Sequence, residues 1–120
     1  MSSPSVDPFS VDEHEEGGVH VLSVTGELDI ATAPRLCARL DASRAGRRPR
    51  LMVDLTNVDF CDSTGLRALL GAASEVRAQG GRFAIVCEPE GDVARLLEVV
   101  GAAEWMAVHG DPVSGMAALT

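Results

Sequence analysis

The sequence predicts an α/β fold in one domain, a mixed and mostly parallel sheet of about five strands, its first strand an antiparallel edge, flanked by about four helices. Three observations indicate this fold. The 120 residues suffice for one core, and 46% of them are apolar. After an initial hairpin, apolar runs of strand length alternate with segments of helical spacing. The run at 51–55 is apolar except at Asp54, as in a strand covered on both faces.

The first elements of the chain are expected to form a hairpin. Residues 1–8 are rich in Ser and Pro and are predicted to be flexible, so the folded domain should span 9–120. Alternating apolar residues from Phe9 predict an edge strand, turn residues at 15–18 end it, and a second strand follows over 19–24.

A loop over 26–29 is predicted to lead into the first helix, at about 32–43. Thr32 is a favourable N-cap, and Pro34 is tolerated in the first turn. A break at 46–49 ends this helix. Its inward positions share helical spacing: Leu36, Cys37 and Leu40.

The second half of the chain repeats the alternation of strand and helix. The buried strand is predicted at 51–55, and a helix then runs from the neighbourhood of Ser63 to the Gly pair at 80–81. A fourth strand follows at 82–87. The remaining predicted elements are a helix over 92–100 closed by Gly101, a short strand at 106–108, and a last helix opened by Asp111 and Pro112 and ending at Ala118.

The composition excludes several classes of function. The net charge of -8 and the pI near 4.7 argue against direct nucleic-acid binding, which needs a basic surface. The one group of basic residues is predicted to be a solvated loop: Arg44, Arg47, Arg48 and Arg50. The absence of a long apolar run and of a signal-peptide pattern predicts a cytoplasmic protein without membrane insertion. Three widely spaced cysteines predict neither disulfides nor a zinc site: Cys37, Cys61 and Cys87.

Signatures of catalysis are missing from the sequence. It contains no G-x-S-x-G elbow, no phosphate-binding loop, no dinucleotide fingerprint and no lysine, and its histidines are scattered. We therefore expect no enzymatic activity, no cofactor and no metal. A reactive hydroxyl in this chain would be the substrate of another protein.

The most informative segment is 58–66, where a hydroxyl lies between a carboxylate and the start of a helix. Ser63 follows Asp62, and Gly65 comes directly before a run of helical spacing. This setting predicts a modification site at Ser63. An ordinary N-cap role for Ser63 is the alternative, and Thr64 could instead be the cap or the modified residue.

Four short motifs along the chain resemble those of one protein family. They are T-G-E-L-D at 25–29, V-D-L at 53–55, D-S-T-G-L at 62–66 and G-G at 80–81, in that order. Together they resemble the STAS family in its small single-domain form, the anti-sigma factor antagonists. The resemblance covers about 9–118 and implies a STAS fold.

The resemblance implies a partner switch. In that family the unphosphorylated antagonist binds an anti-sigma factor that is also a serine kinase, which frees the sigma factor. Phosphorylation of the serine, here Ser63, ends the binding, and a serine phosphatase resets it. The resemblance also implies a set of partner-binding residues: Asp29, Asp62, Ser63, Thr64, Gly65 and Leu66.

Charge alone makes such a switch plausible. A phosphate adds about -1.5 to -2 charge. The dipole and amides of a helix start should tolerate it, whereas a partner surface shaped for a neutral hydroxyl would repel it. The alternative function is a non-switching STAS scaffold, or a ligand-binding subunit of a signalling or lipid-transport complex. Three further residues keep open roles: Asp29 as a helix cap, Asp54 as a loop anchor, and Trp105 as a surface anchor or a core residue.

Overall fold

The computed structural model describes residues 8–43, 48–102 and 106–119, and within them the predicted sheet and helices are found. The strands are β1 Ser10–Glu16, β2 Val19–Leu28, β3 Arg50–Cys61, β4 Arg82–Val86 and β5 Val108–His109. The helices are α1 Ala33–Ser43, α2 Ser63–Ala78, α3 Asp92–Val99 and α4 Pro112–Leu119. The strands lie in the order β1-β2-β3-β4-β5, with β1 antiparallel and the others parallel. The predicted fold class is confirmed.

The helices cover the sheet unequally. Since β2 to β5 lie in sequence order and parallel connections are right-handed, α1, α2 and α3 fall on one face, over the larger core cluster. On the other face α4 covers a smaller cluster. A Cβ at Gly115 would lie 2.8 Å from Met52 Sδ and 3.0 Å from Val86 Cγ2, so this glycine lets α4 approach the sheet closely.

Two strands are longer than the sequence predicted. The expected loop at 26–29 is strand as far as Leu28, and β3 continues from 55 through Cys61. The two extensions pair with each other, Glu27 with Phe60 and Leu28 with Cys61, beyond two shifts of register. Backbone pairing between the strands therefore overrides the polar and glycine residues that suggested loops.

Smaller differences occur elsewhere. The fifth strand lies at Val108–His109, slightly later than expected, and Cys37 is only half-buried. The ends of α2, β4 and α3 agree closely with prediction.

Trp105, Arg44, Arg47 and nearly all of the expected flexible segment lie outside the described residues. No helix in the part of the chain that the structure describes is long and apolar enough to cross a bilayer.

Candidate functional site

The carboxyl ends of β2 and β3 meet at one edge of the sheet, and α2 begins there. The Asp62 N–H donates to the Leu28 carbonyl at 3.1 Å, which joins the two strand ends. Asp29 and Asp62 are each the first residue beyond the paired ends, Leu28 and Cys61. The strand extensions thus bring together two acidic residues that are 33 positions apart in the sequence.

The N-cap of α2 is Asp62, which corrects the alternatives that placed Ser63 or Thr64 there. Asp62 Oδ1 accepts hydrogen bonds from the N–H groups of Thr64 at 2.9 Å and Gly65 at 3.0 Å. Its carbonyl accepts the N–H of Leu66 at 3.0 Å. Ser63 is therefore the first helical residue. Its side chain is exposed, and within the described residues its hydroxyl makes no hydrogen bond.

Two residues expected to contact a partner lie under the surface instead. Leu66 is buried in the main core. Gly65 is also buried, and a Cβ there would lie 2.6 Å from Leu28 Cγ and 2.9 Å from the Leu28 carbonyl oxygen. Gly65 thus has a packing role, because its lack of a side chain allows α2 to start close against β2. Both residues pack the first turn of α2, which carries Ser63, against the interior of the domain.

Asp29 shapes the turn between β2 and α1. Its Oδ1 accepts the N–H groups of Ala31 at 2.9 Å and Thr32 at 3.1 Å. The Thr32 hydroxyl, expected to cap α1, turns back to accept the Asp29 N–H at 2.9 Å and to donate to the Glu27 carbonyl at 2.7 Å. This compact turn leaves Ile30 76% exposed. Asp29 therefore has the local structural role that the sequence left open.

A groove of about 600 Å³ lies between α1 and α2, next to the candidate acceptor. Ile30 and Thr64 line it together with Arg67. Most of its remaining lining is small or apolar: Ala33, Pro34, Cys37, Leu40, Ala68, Gly71 and Ala72. Sequence analysis missed this groove. The small residues at helical spacing on α2, from Ala68 to Ala72, were the available signal.

A second apolar patch adjoins the end of β3. Phe60, three residues before Ser63, is 47% exposed. It lines a shallow depression of about 300 Å³ with Leu96 and Val99 of α3. Exposed large apolar side chains of this kind, beside polar neighbours, are typical of docking surfaces.

The thiol of Cys61 lies at the end of β3, beside this site. Burial, with a smaller contribution from the Asp62 carboxylate, raises the pKa of the Cys61 thiol to about 11, so Cys61 is a neutral and weak nucleophile at pH 7. Across the described ranges, no three His, Cys, Asp or Glu side chains are grouped to hold a metal ion. Asp54 bonds Thr56 within β3 and lies away from the loop end where it was expected.

Comparison with known proteins identifies the class. The STAS domain model matches residues 10–114, so the chain belongs to the STAS family. Two of the relatives that it resembles are named as anti-sigma factor antagonists. The anti-sigma F factor antagonist of Paenibacillus polymyxa is 31% identical over 108 residues, 89% of this chain and 91% of that protein. The anti-sigma-F factor antagonist RsfB of Mycobacterium tuberculosis is 37% identical over 95 residues, 79% of this chain and 74% of its own.

A solved structure agrees with these relatives. The crystal structure of an anti-sigma factor antagonist from Mycobacterium paratuberculosis superposes with a TM-score of 0.84 at 28% identity, and the match covers 99% of this chain and 98% of that one. The similarity therefore extends over the whole domain, including the edge of the sheet that carries Ser63.

Proposed function

We propose that this chain is an anti-sigma factor antagonist whose binding to its partner is ended by phosphorylation of Ser63. One observation carries the proposal. The Ser63 hydroxyl is exposed on the first residue of α2, while Asp62 performs the capping. The acceptor is thus presented to a partner without being needed by the fold. The names of the relatives support the same function.

The proposed partner is an anti-sigma factor with serine kinase activity. The unphosphorylated chain binds it and so releases the sigma factor, and a serine phosphatase restores the hydroxyl. This chain contributes a substrate hydroxyl and a docking surface, and it acts in the cytoplasm without contacting nucleic acid or entering a membrane. The transfer itself is left to the kinase's own active site and metal ions.

The proposed docking surface combines the acidic edge with the groove between α1 and α2. Asp62 and Thr64 flank the acceptor in the chain, Asp29 follows the neighbouring strand end, and Ile30 lines the groove together with Thr64. Burying one isoleucine side chain contributes roughly 1.5–3 kcal/mol. Ile30 is therefore the natural apolar anchor of this surface.

Phosphorylation opposes this docking through charge. The phosphate brings about two negative charges to a surface that already holds Asp29 and Asp62. A partner surface that fits a neutral hydroxyl would have to desolvate this anion without a compensating charge, beside the two carboxylates that repel it. A loss of only about 2.8 kcal/mol lowers the affinity a hundredfold, so the local change suffices.

Variants at Ser63 test the switch against the kinase partner. Ser63→Ala should bind with near wild-type affinity and accept no phosphate. Ser63→Asp should bind more weakly than wild type but more tightly than the phosphorylated protein, because a carboxylate carries less negative charge than a phosphate. Titration calorimetry measures the affinities, and peptide mapping locates the phosphate.

The controls follow from the structure. Since Asp62 is the cap, Ser63→Ala should melt at the wild-type temperature. Ser74→Ala and Ser74→Asp, at an exposed serine on the same helix, should leave both affinity and phosphorylation unchanged. Equal affinities of wild type, Ser63→Ala and Ser63→Asp would favour the non-switching scaffold, and a phosphate on Thr64 or Ser74 would refute the assignment of Ser63.

A further inference from the structure

We propose that Arg67 is the intramolecular counter-charge of phosphorylated Ser63, an inference that rests on the proposed modification of Ser63. The two residues are four positions apart on α2, and both are exposed. Side chains at this spacing lie on one face of a helix, with Cβ atoms about 5–6 Å apart. Long side chains lean toward the helix N-terminus, which directs Arg67 toward Ser63.

Most backbone N–H groups at the start of α2 already have acceptors and cannot bind an added anion. The N–H groups of Thr64 and Gly65 already donate to Asp62 Oδ1, and the N–H of Leu66 donates to the Asp62 carbonyl. Within the part of the chain that the structure describes, the N–H of Ser63 is the one donor of the first turn without an acceptor. A phosphate on Ser63 would also lie beside the Asp62 carboxylate, so it needs a cation from elsewhere.

Arg67 is the cation placed to meet this need. Within the described residues it makes no hydrogen bond or ion pair. Arg95, which borders the patch around Phe60, is engaged with Asp92 Oδ1 at 3.7 Å and with the Glu90 carbonyl at 3.3 Å. A guanidinium donates two parallel hydrogen bonds to phosphate oxygens, a geometry that a single point charge does not reproduce.

The pairing links the modification to the shape of the docking surface. In the unphosphorylated chain Arg67 lines the groove between α1 and α2, near Thr64. Turning toward the phosphate would withdraw its charge and its donors from that groove. Phosphorylation would then change the docking surface in two ways. It would add an anion at Ser63 and remove a cation from the groove.

The test measures the phosphate itself and needs no partner. Phosphoserine is placed at position 63 by genetic encoding in the full chain, and phosphorus NMR follows the second pKa of the phosphate. A paired guanidinium stabilises the dianion and lowers this pKa. In Arg67→Gln it should rise by roughly 0.2–0.7 relative to the phosphorylated wild type, and 1 M salt should remove most of the difference.

Arg95→Gln is the matched control because it removes the same charge from a neighbouring helix. It should leave the phosphate pKa unchanged, and Arg67→Lys should restore only part of the wild-type value. Equal pKa values in wild type and Arg67→Gln, or an equal effect of Arg95→Gln, would overturn the proposal. These outcomes are independent of partner switching, which fails separately if the kinase leaves Ser63 unmodified.

Discussion

At the scale of single residues, helix capping, close packing and exposure of a hydroxyl are properties of three different residues of the site. Asp62 holds the first turn of α2, Gly65 allows that turn to lie against β2, and Ser63 is left with an exposed hydroxyl. A group that the fold does not use can be modified and restored without unfolding the domain. This separation is what a reversible switch requires.

The sequence did not determine which residue caps α2. Asp and Ser are both good N-caps, and the boundary of a helix cannot be set from sequence to within one residue. The extended backbone of Asp62 and its bonds to two N–H groups decide the question. The role of Gly65 was equally hidden, because it depends on Leu28, a residue distant in the sequence.

Gly65→Ala is expected to destabilise the protein. The added Cβ would lie 2.6 Å from Leu28 Cγ and 2.9 Å from the Leu28 carbonyl oxygen, so the start of α2 must shift. Such overpacking costs about 1–3 kcal/mol, which urea unfolding can measure.

Gly71→Ala is the control for this change on the same helix. No atom lies within 4 Å of a Cβ built at Gly71. Alanine there should raise the unfolding free energy by about 0.5–1 kcal/mol through helix propensity. If both variants shifted stability in the same direction, the close contact with Leu28 would not be the reason for Gly65.

At the scale of elements, the extensions of β2 and β3 create the site. Sequence patterns gave the strand cores correctly, since those are apolar. They missed the extensions because residues such as Gly26, Asn57 and Asp59 disfavour strands locally. The length of these strands is set by pairing between segments about 30 residues apart, which local sequence patterns cannot predict. The same pairing carries Asp29 and Asp62 to one edge.

The β1 hairpin is joined to α1 by a polar contact centred on Glu13. Its carboxylate accepts from Arg39 Nε at 2.9 Å and Ser43 Oγ at 3.1 Å, and it lies 3.2 Å from His20 Nε2. The hydrogen bond from Arg39 is the main cause that lowers the pKa of Glu13 below its usual 4.5, against a smaller opposing effect of burial.

Glu13→Gln should therefore lower stability in a pH-dependent way. The contact is exposed, so the loss at pH 7 should be below about 1 kcal/mol. A carboxyl group whose pKa is lower in the folded protein than in the unfolded chain stabilises the fold at pH values above its unfolded pKa. This stabilisation is lost as the pH falls through its folded pKa. Urea unfolding should show a deficit at pH 7 that shrinks as the pH falls below the pKa of Glu13 in the unfolded chain. Glu15→Gln, on the same strand, should show no comparable deficit; an equal one would argue against the contact with Arg39.

At the scale of the whole molecule, the domain keeps its two faces distinct. The larger core and the groove between α1 and α2 lie on one face, and α4 covers the other. The alternation of strand and helix made the fold predictable from the sequence. The groove was not, because it depends on how two helices separated by a long strand lie against each other.

This division allows the docking surface to be tested with a matched pair of substitutions. Ile30 is 76% exposed beside the groove, and Val113 is 79% exposed on α4. Neither side chain supports the core, so Ile30→Asp and Val113→Asp should both fold normally, as thermal melts will show. If Ile30 is the anchor, Ile30→Asp loses roughly 1.5–3 kcal/mol of partner binding, about ten- to a hundredfold in affinity. Val113→Asp adds the same charge on the opposite face and should bind like wild type. Calorimetry against the kinase partner decides: wild-type affinity of Ile30→Asp, or equal weakening of both variants, would exclude the groove between α1 and α2 as the place where the partner docks.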